Sequence, residues 1–352
     1  MQIKEWDNSN DEKNECLRLV KSIFKNSDST TSDYFEWYFR KNPYGKSIVM
    51  LAKDELLNDK VIGIEPITTM NLIINGEEVI AALSANSAMD IQYRGKGIFS
   101  KIISFLPEKA SENNIECIFG VSNDNSLNPF LRNGFSNLGK LPLLIKPIKI
   151  SKKFNQPLRT IISCFDYIWK PSSRNEFGIE ILSKEFDYEF EKFILNQTKR
   201  LGIFQKRSKE FLQWRYTNHP TRKYETFVLR NHSRIIGYII VRVTIIKNKK
   251  IGVILDFLID SNEEEKEKFE NLVNFALNYF WENNVSIAIT TCRNKLLENQ
   301  ILRKTGFFNC PSFLRPAPFV FIVNPLKLSD EKTKNLLNYN NWFFSFGDYD
   351  VF

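Results

Sequence analysis

The segment MDIQYRGKGIFS, residues 89–100, places two glycines two positions apart and sets a cationic side chain directly before each of them. An apolar strand pattern precedes the segment and a helical pattern follows it. Glycine permits positive φ angles and close approach of the backbone, and the N–H groups at a helix start favour an anion such as a phosphate. Arg94 and Lys96 would add positive charge to such a site. The alternative is a tight strand-to-helix turn that binds nothing.

The spacing of these glycines excludes two common phosphate-binding loops. The GxxxxGK[ST] spacing of a Walker loop is missing, and Ser100 occupies the third glycine position of a dinucleotide fingerprint. The preceding elements also differ from a dinucleotide fold, because the Asn75-Gly76 pair between two apolar runs predicts a β-hairpin. After the glycines, a helix is predicted over residues 98–113, with a break caused by Pro107.

The hexapeptide Gln92-Tyr93-Arg94-Gly95-Lys96-Gly97 resembles the Q/R-x-x-G-x-G/A signature of the GNAT (GCN5-related) N-acetyltransferase superfamily. The flanking hairpin, helix and strand agree with that family over most of residues 1–145. The resemblance implies that backbone N–H groups of the loop hold the pyrophosphate of acetyl-CoA or another acyl-CoA. The implied cofactor-binding residues are Met89, Ile91, Arg94, Gly95, Lys96, Gly97, Ile98, Phe99, Ser100, Asn125 and Phe130.

The resemblance also implies that a primary amine attacks the thioester directly, without a metal or a covalent enzyme intermediate. Such a reaction needs one group that accepts the ammonium proton and another that protonates the thiolate. Many superfamily members use a tyrosine for the second task, whereas this chain has Phe130 at that position. Ser126 or Asn125 is the candidate donor, unless the thiolate leaves unassisted. The candidate bases are Glu65, Ser84, Asn86 and Ser87, with removal of the proton through water as the alternative.

Two segments of the chain match each other without gaps. Trp37 of FEWYFRKNPYGKS corresponds to Trp214 of LQWRYTNHPTRKY, and the same order of strand patterns follows each segment. The repeat predicts an α+β fold with mixed sheet, built from two tandem GNAT-like units in which the two tryptophans are core anchors. The expected division is an acyl-CoA-binding unit over 1–145, a connector with an amphipathic helix over 146–179, and a second unit with an aromatic C-terminal tail over 180–352.

The second unit lacks the glycine signature and is expected to be degenerate. Acidic residues, among them Asp256 and Asp260, occupy the corresponding stretch LDFLIDSNEEEKEKF, where they would repel a pyrophosphate. The connector helix, near residues 158–169, has an apolar stripe that either packs against the protein or lies on a membrane surface. The interpretation that competes with Glu65 as a base is an outward-facing edge residue. His219, beside Pro220, could also be a base in principle, but a lone histidine on a turn is more often a polar surface residue.

The C-terminal segment NWFFSFGDYDVF supplies the candidate acceptor-binding residues Trp342, Asp348 and Asp350, with an aromatic edge strand as the competing interpretation. Chains with one working and one degenerate unit resemble bacterial sugar N-acyltransferases of cell-surface polysaccharide pathways. This resemblance implies transfer of an acetyl or short, including hydroxylated, acyl group to a nucleotide-linked amino sugar. The alternatives are another amine, such as an aminoglycoside, polyamine or peptide, and a non-catalytic acyl-CoA sensor.

The composition argues against several other classes of function. The 352 residues include five scattered cysteines without a CxxC pair and two histidines, so no metal site or disulfide framework is expected. The formal charge of +8 is spread along the chain, which argues against a nucleic-acid-binding face. We expect a cytoplasmic protein, since no signal peptide is recognisable and no apolar run reaches the ~18–20 residues of a membrane-spanning helix. The oligomeric state is left open.

Overall fold

Two mixed β-sheets with helices packed on their faces form the protein. A computed structural model describes residues 1–25, 27–149, 170–171, 178–182, 185–261, 266–315 and 319–350. The α+β class expected from the sequence is confirmed. The amphipathic helix predicted near residues 158–169 lies outside the described residues. The proposed division of the chain at residues 145 and 180 stays a prediction.

The first sheet contains β1 (Gln2–Glu5), β2 (Ile48–Asp54), β3 (Lys60–Ile74), β4 (Glu77–Ser84), β5 (Ala88–Met89), β6 (Cys117–Ser122), β7 (Ser136–Lys140), β10 (Phe204–Gln205) and β16 (Val320–Pro325). Its main order is β1-β2-β3-β4-β6-β16-β7, while β5 and β10 pair with β3 outside this path. Strands β4 and β6 are parallel, and the other neighbours along the path are antiparallel.

The second sheet contains β8 (Leu144–Pro147), β9 (Ile179–Ile181), β11 (Glu225–Asn231), β12 (Arg234–Ile246), β13 (Lys249–Ile259), β14 (Ile287–Thr290) and β15 (Phe308–Asn309). Its order is β9-β11-β12-β13-β14-β8-β15. Strands β13 and β14 are parallel, at the place where β4 and β6 are parallel in the first sheet. The two sheets therefore repeat one arrangement of strands.

Strands cross between the halves of the chain: β10 and β16 of the second half belong to the first sheet, and β8 of the first half belongs to the second. Strand β16 inserts between β6 and β7 in the first sheet, and β8 inserts between β14 and β15 in the second. The two inserted strands occupy corresponding places in the two sheets. Because backbone hydrogen bonds of both sheets cross between the halves, separating the halves would leave two pairs of strands without their central partner.

The helices are α1 (Asn10–Ile23), α2 (Ser32–Phe35), α3 (Ile98–Ile103), α4 (Leu106–Glu112), α5 (Asp124–Arg132), α6 (Tyr188–Leu195), α7 (Thr198–Leu201), α8 (Lys209–Leu212), α9 (Lys266–Glu282), α10 (Leu297–Lys304) and α11 (Asp330–Leu336). Helices α3, α4 and α5 pack on the first sheet through an apolar cluster that includes Ile102, Leu106 and Phe130. None of the helices in the described ranges has the length and apolar content needed to cross a membrane.

Two short sequence features in the first half of the chain, the Asn75-Gly76 pair and Pro107, have the structural effects predicted for them. The Asn75-Gly76 hairpin is confirmed, with positive φ angles of 55° and 86° that suit its two-residue turn. The helix after the glycines breaks between α3 and α4, and Pro107 lies in the first turn of α4, where its missing N–H costs little. Strand β3 includes Pro66 and runs without a break from Lys60 to Ile74.

The two repeat segments meet through their tryptophans. The indole rings of Trp37 and Trp214 stack with centroids 4.6 Å apart, and both side chains are buried. The Trp37 indole N–H donates to the Trp214 carbonyl at 2.9 Å, and the Trp214 indole N–H donates to the Trp37 carbonyl at 3.0 Å. The prediction that these residues are core anchors is confirmed. The reciprocal bonds have the geometry of a local two-fold axis between the halves.

Replacing Trp37 by alanine should destabilise the protein strongly. The change removes a buried aromatic ring and leaves the Trp214 carbonyl without its donor, which together should cost about 3–5 kcal/mol of the free energy of unfolding. Urea unfolding followed by circular dichroism measures this loss. Trp281→Ala is the matched control, because Trp281 is only partly buried in α9 and should cost clearly less. Equal midpoints for the two variants would contradict the anchoring role.

Candidate functional site

A cavity of about 750 Å³ opens where β4 and β6 separate. The two strands pair in parallel from Ala81 with Cys117 to Ser84 with Gly120. A Cβ atom at Gly120 would lie 2.7 Å from the Ser84 carbonyl oxygen, so glycine is needed for the close approach at the last pair. Beyond it, residues 84–89 line one wall of the cavity and residues from Val121 to Ser126 line the other.

The wall after β4 is irregular. Strand β4 ends at Ser84, and β5 begins only at Ala88. Asn86 lies between them with a φ of 62°, a left-handed conformation that asparagine tolerates better than most residues. Residues 85–87 lie between the two strands and line the cavity.

The glycine loop forms one end of the cavity. Gly95 and Gly97 have φ angles of 76° and 77°, and no atom lies within 4 Å of a Cβ built on either. Arg94 folds back so that its Nε donates to the Met89 carbonyl at 3.2 Å. Among the loop residues predicted to bind acyl-CoA, those lining the cavity are Met89, Arg94, Gly95, Gly97, Ile98, Phe99 and Ser100.

Two of the predicted loop residues lie outside the cavity lining. Ile91 is 66% exposed, and Lys96 stands over the Tyr93 ring with its Nζ 4.9 Å from the ring centroid. A further cation comes from α5, because Arg132 lines the cavity beside the loop. Arg132 could not be singled out from the sequence, since helices commonly carry a basic residue in their last turn. The loop end therefore combines open backbone with Arg94 and Arg132.

Helix α5 closes the same end of the cavity. Its first turn is held by Asn123, whose side chain accepts the N–H groups of Asn125 and Ser126, while the Ser126 hydroxyl accepts the Asn123 N–H at 3.2 Å. Asn125, Ser126 and Phe130 all line the cavity. The Phe130 ring is buried against Phe99 and has no hydroxyl to offer. Ser126, the candidate proton donor to the thiolate, thus lies at the cavity but is also engaged in capping α5.

The far end of the cavity is polar and includes residues from four separate parts of the chain. Tyr34, Asn86, Arg222 and Asp350 line it together with Ser27 and Ser29. The Tyr34 hydroxyl donates to Asp350, and the Asn86 side-chain amide donates to the Tyr34 oxygen at 3.2 Å. Tyr34 and Arg222 were not predicted as site residues, because nothing in the sequence around them relates them to Asp350.

Asp350 is the one acidic residue among the described residues that line the cavity. It pairs with Arg222 at 2.7 Å and with Arg215 at 3.2 Å. Burial would raise the pKa of Asp350, but the two guanidinium charges outweigh it and hold the pKa well below its ordinary value. Arg222 also binds both oxygens of Asp28. Two cations and two carboxylates therefore balance each other at this end.

His219 lies behind these ion pairs and is not at the surface. Its side chain is buried, with the ring centroid 4.1 Å from that of Trp37. The Nδ1 atom accepts the backbone N–H groups of Thr221 and Arg222 at 3.3 and 3.2 Å. Burial lowers the pKa of His219 despite the nearby Asp350 carboxylate. The interpretation of His219 as a surface residue is wrong, because its ring fixes the turn that carries Arg222.

The other two predicted acceptor-binding residues lie away from the cavity. Trp342 is buried against Phe321 and donates its indole N–H to the Leu336 carbonyl at 2.8 Å. Asp348 pairs with buried Arg207 at 3.0 Å. Burial raises the pKa of Asp348 to about 6, although the Arg207 charge lowers it. Neither side chain is among the residues that line the cavity.

The corresponding gap in the second sheet is filled by the C-terminal segment. Only about 10 Å³ remains between β13, β14 and α10, and Phe343, Phe344 and Ser345 line that space. Asp256 and Asp260, expected to repel phosphate, are buried and paired with Arg207 and Arg234. The second gap therefore has no room for a pantetheine arm. Acyl-CoA would be excluded there by the side chains that fill the gap, and not by charge repulsion from Asp256 and Asp260 as the sequence suggested.

Glu65 lies directly behind the cavity wall and is not an outward-facing edge residue. Its side chain is fully buried, and the Ser84 hydroxyl donates to its Oε1 at 2.6 Å. Burial raises the pKa of Glu65 to about 7, against the opposing effect of the Ser84 and Ser87 hydroxyls. Ser84 and Ser87 line the cavity, whereas Glu65 is absent from the lining. In the described part of the chain, no cluster of three or more acidic, His or Cys side chains is arranged to hold a metal ion.

Comparisons with known proteins agree with this geometry. Residues 7–129 match the family model for the acetyltransferase (GNAT) domain. A GCN5-related N-acetyltransferase from Anabaena variabilis ATCC 29413 has a TM-score of 0.64 at 14% identity, covering 92% of this chain and 73% of that one. The N-myristoyltransferase of Saccharomyces cerevisiae, solved with bound myristoyl-CoA, has a TM-score of 0.64 at 12% identity, covering 92% and 83%. No curated protein matches in sequence.

At these identities the two structures show a shared fold alone, while the family match assigns the domain. Residues 7–129 contain β4, the glycine loop and most of α5, the elements that surround the cavity. The match covers this part of the chain, and it supports an N-acyltransferase with acyl-CoA as its co-substrate.

Gly97→Trp should abolish binding of acetyl-CoA. The new side chain would project from the glycine loop into the open end of the cavity, where the pyrophosphate is expected. Gly139→Trp is the matched control, since Gly139 also has a positive φ and open space but lies outside the cavity lining. Isothermal titration calorimetry with acetyl-CoA should show loss of binding in the first variant and retention in the second. Equal affinities would contradict the loop assignment.

Proposed function

We propose that this N-acyltransferase moves an acetyl or short acyl group, including hydroxylated ones, from coenzyme A to the amine of a nucleotide-linked amino sugar. The reaction would serve cell-surface polysaccharide biosynthesis in the cytoplasm. The proposal is carried by one observation: a single cavity joins the glycine loop to a polar end whose charges are balanced.

The glycine loop is the proposed place for the coenzyme. Backbone N–H groups from Arg94 to Ser100 would hold the pyrophosphate, with added charge from Arg94 and Arg132. The pantetheine arm would run along Met89, in the gap between the separating strands. The thioester carbonyl would then reach the irregular backbone of residues 85–87, whose N–H groups could stabilise a developing oxyanion.

The polar end of the cavity favours a neutral, hydroxyl-rich acceptor. Asp350 and Asp28 are neutralised by Arg215 and Arg222, so this end has no spare negative charge to attract a polycation. The side-chain amide of Asn86 and the hydroxyls of Ser27, Ser29 and Tyr34 would bind sugar hydroxyls at this end. This balance argues against a polyamine or an aminoglycoside, both of which carry several positive charges.

We further infer that residues 180–352 are a second, degenerate GNAT unit. The repeated strand order, the exchanged strands and the reciprocal tryptophan bonds support this inference. The filled gap beside β13 and β14 supports the loss of acyl-CoA binding in that unit. Its remaining task would be to hold Arg215 and Arg222 against Asp350 at the acceptor end of the cavity.

The test is release of free thiol from acetyl-CoA and from longer acyl-CoAs with a panel of UDP- and dTDP-linked amino sugars. We expect release with one sugar nucleotide and none with the matching sugar nucleotide that has a hydroxyl in place of the amine. A polyamine, an aminoglycoside and a peptide with a free N-terminus complete the panel. Release with one of these three, and with no sugar, would overturn the assigned acceptor while leaving acyl transfer intact.

A further inference from the structure

The carboxyl group of Glu65 has surroundings that do not suit a purely structural role. It is fully buried on β3, yet no arginine, lysine or histidine among the described residues forms an ion pair with it. Its Oε1 accepts the Ser84 hydroxyl at 2.6 Å, while Oε2 has no hydrogen-bond partner among the described residues. An unpartnered carboxylate oxygen in the interior costs free energy, so its retention points to a use.

Three neighbours of Glu65 line the cavity, and one of them is hydrogen-bonded to its carboxylate. Met50 of β2 lies directly opposite and is apolar, within the cluster that α3 and α4 cover. Tyr349 from the C-terminal segment lies close enough that the Glu65 carboxylate contributes to raising its pKa, behind the larger effect of burial. Ser84 and Ser87 complete the surroundings, and both line the cavity. Among Ser84, Ser87 and Tyr349, Ser84 is the residue whose hydroxyl donates a hydrogen bond to the Glu65 carboxylate, so it connects Glu65 to the cavity.

We propose that Glu65 accepts, through the hydroxyl of Ser84, the proton that the attacking amine releases. This inference rests on the proposed function. As the amine nitrogen forms its bond to the acyl carbon, the electron pair of the C–S bond leaves with the coenzyme sulfur. The nitrogen passes one proton to the Ser84 oxygen, and Ser84 passes its own hydroxyl proton to Glu65 Oε1. The thiolate takes its proton from water, and Glu65 returns its proton to solvent after product release.

Asp350 does not fit the same task. Its carboxylate is held ionised by Arg215 and Arg222 and also accepts the Tyr34 hydroxyl. Protonating it would weaken the ion pair with Arg222 and remove the carboxylate charge that faces buried Arg215, which is costly. Glu65 lacks such cations, and burial raises its pKa to about 7, so near neutral pH it can both take and release a proton.

The first experiment measures the proton on Glu65 without any acceptor. Infrared difference spectra of the full chain, with ¹³C-labelled glutamate, follow the carboxyl band between about pH 5.5 and 8.5, a range above the ordinary titration of glutamate. We expect a band that titrates near neutral pH and is missing in Glu65→Gln. Ser84→Ala should move its midpoint upward, because the lost hydroxyl favoured the charged form. Ser122→Ala, which removes a buried hydroxyl bonded to the Val320 carbonyl, should leave the midpoint in place.

The second experiment measures the dependence of kcat on pH. Its substrates are acetyl-CoA and the acceptor amine with which the panel shows the most release of free coenzyme A thiol. The wild-type rate should fall as the pH drops through about 7, since protonated Glu65 cannot accept a proton. Glu65→Gln should lower kcat on the order of 100-fold and remove that inflection. Ser84→Ala should also lower kcat, whereas Ser122→Ala should keep the wild-type profile.

Two results would overturn the relay. One is a Glu65 carboxyl band that does not titrate in the neutral range, and the other is a Glu65→Gln profile that is lowered equally at every pH. Melting temperatures of both variants show whether they remain folded, and Ser84→Ala tests the relay if Glu65→Gln does not fold. If the wild-type protein releases no thiol with any acceptor of the panel, the result counts against the proposed function. The infrared titration alone would then decide whether Glu65 can act as the proton acceptor.

Discussion

Strands β4 and β6 run in parallel as far as Ser84 and Gly120, and the cavity begins where this pairing ends. The close approach at the last pair requires Gly120, because a Cβ atom there would collide with the Ser84 carbonyl. The irregular segment after Ser84 then carries the chain to the glycine loop, while the segment after Gly120 carries it to α5. A different residue at this pair would shift both walls of the cavity, together with the hydroxyl that contacts Glu65.

The C-terminal segment serves both halves of the molecule in different ways. Phe343 and Phe344 fill the gap beside β13 and β14, and two residues of the same segment, Tyr349 and Asp350, line the cavity beside β4 and β6. Asp348, between these two parts, is fixed by the buried Arg207. One stretch of eight residues thus closes the gap in the second sheet and completes the polar end in the first. Its position depends on the second half of the chain, which supplies Arg207, Arg215 and Arg222.

The loop end of the site could be predicted from the sequence because it is local. Gly95 and Gly97 adopt positive φ angles, which favour glycine. The two glycines lie close together between a strand pattern and a helix pattern, so the loop can be recognised from a short stretch of sequence. The polar end could not, since Tyr34, Arg222 and Asp350 are more than 100 residues apart and meet only through tertiary packing. The matching tryptophans predicted a repeat, but not that β8 and β16 would change sheets. Strand exchange leaves no mark on local periodicity, because an inserted strand has the same pattern as one that stays.

Two carboxyl groups near the cavity illustrate how environment separates the roles of similar side chains. Burial acts on both Glu65 and Asp350 in the same direction, toward the neutral acid. At Asp350 two guanidinium groups reverse that effect, so its charge is permanent near neutral pH and orders Tyr34 and the turn that carries Arg222. At Glu65 two hydroxyls reduce the effect without reversing it, so both protonation states lie within reach of a neutral solution. The permanent charge of Asp350 suits a residue that helps to position the acceptor. The carboxyl group of Glu65, which can gain and lose a proton near neutral pH, suits the removal of the proton from the acceptor amine.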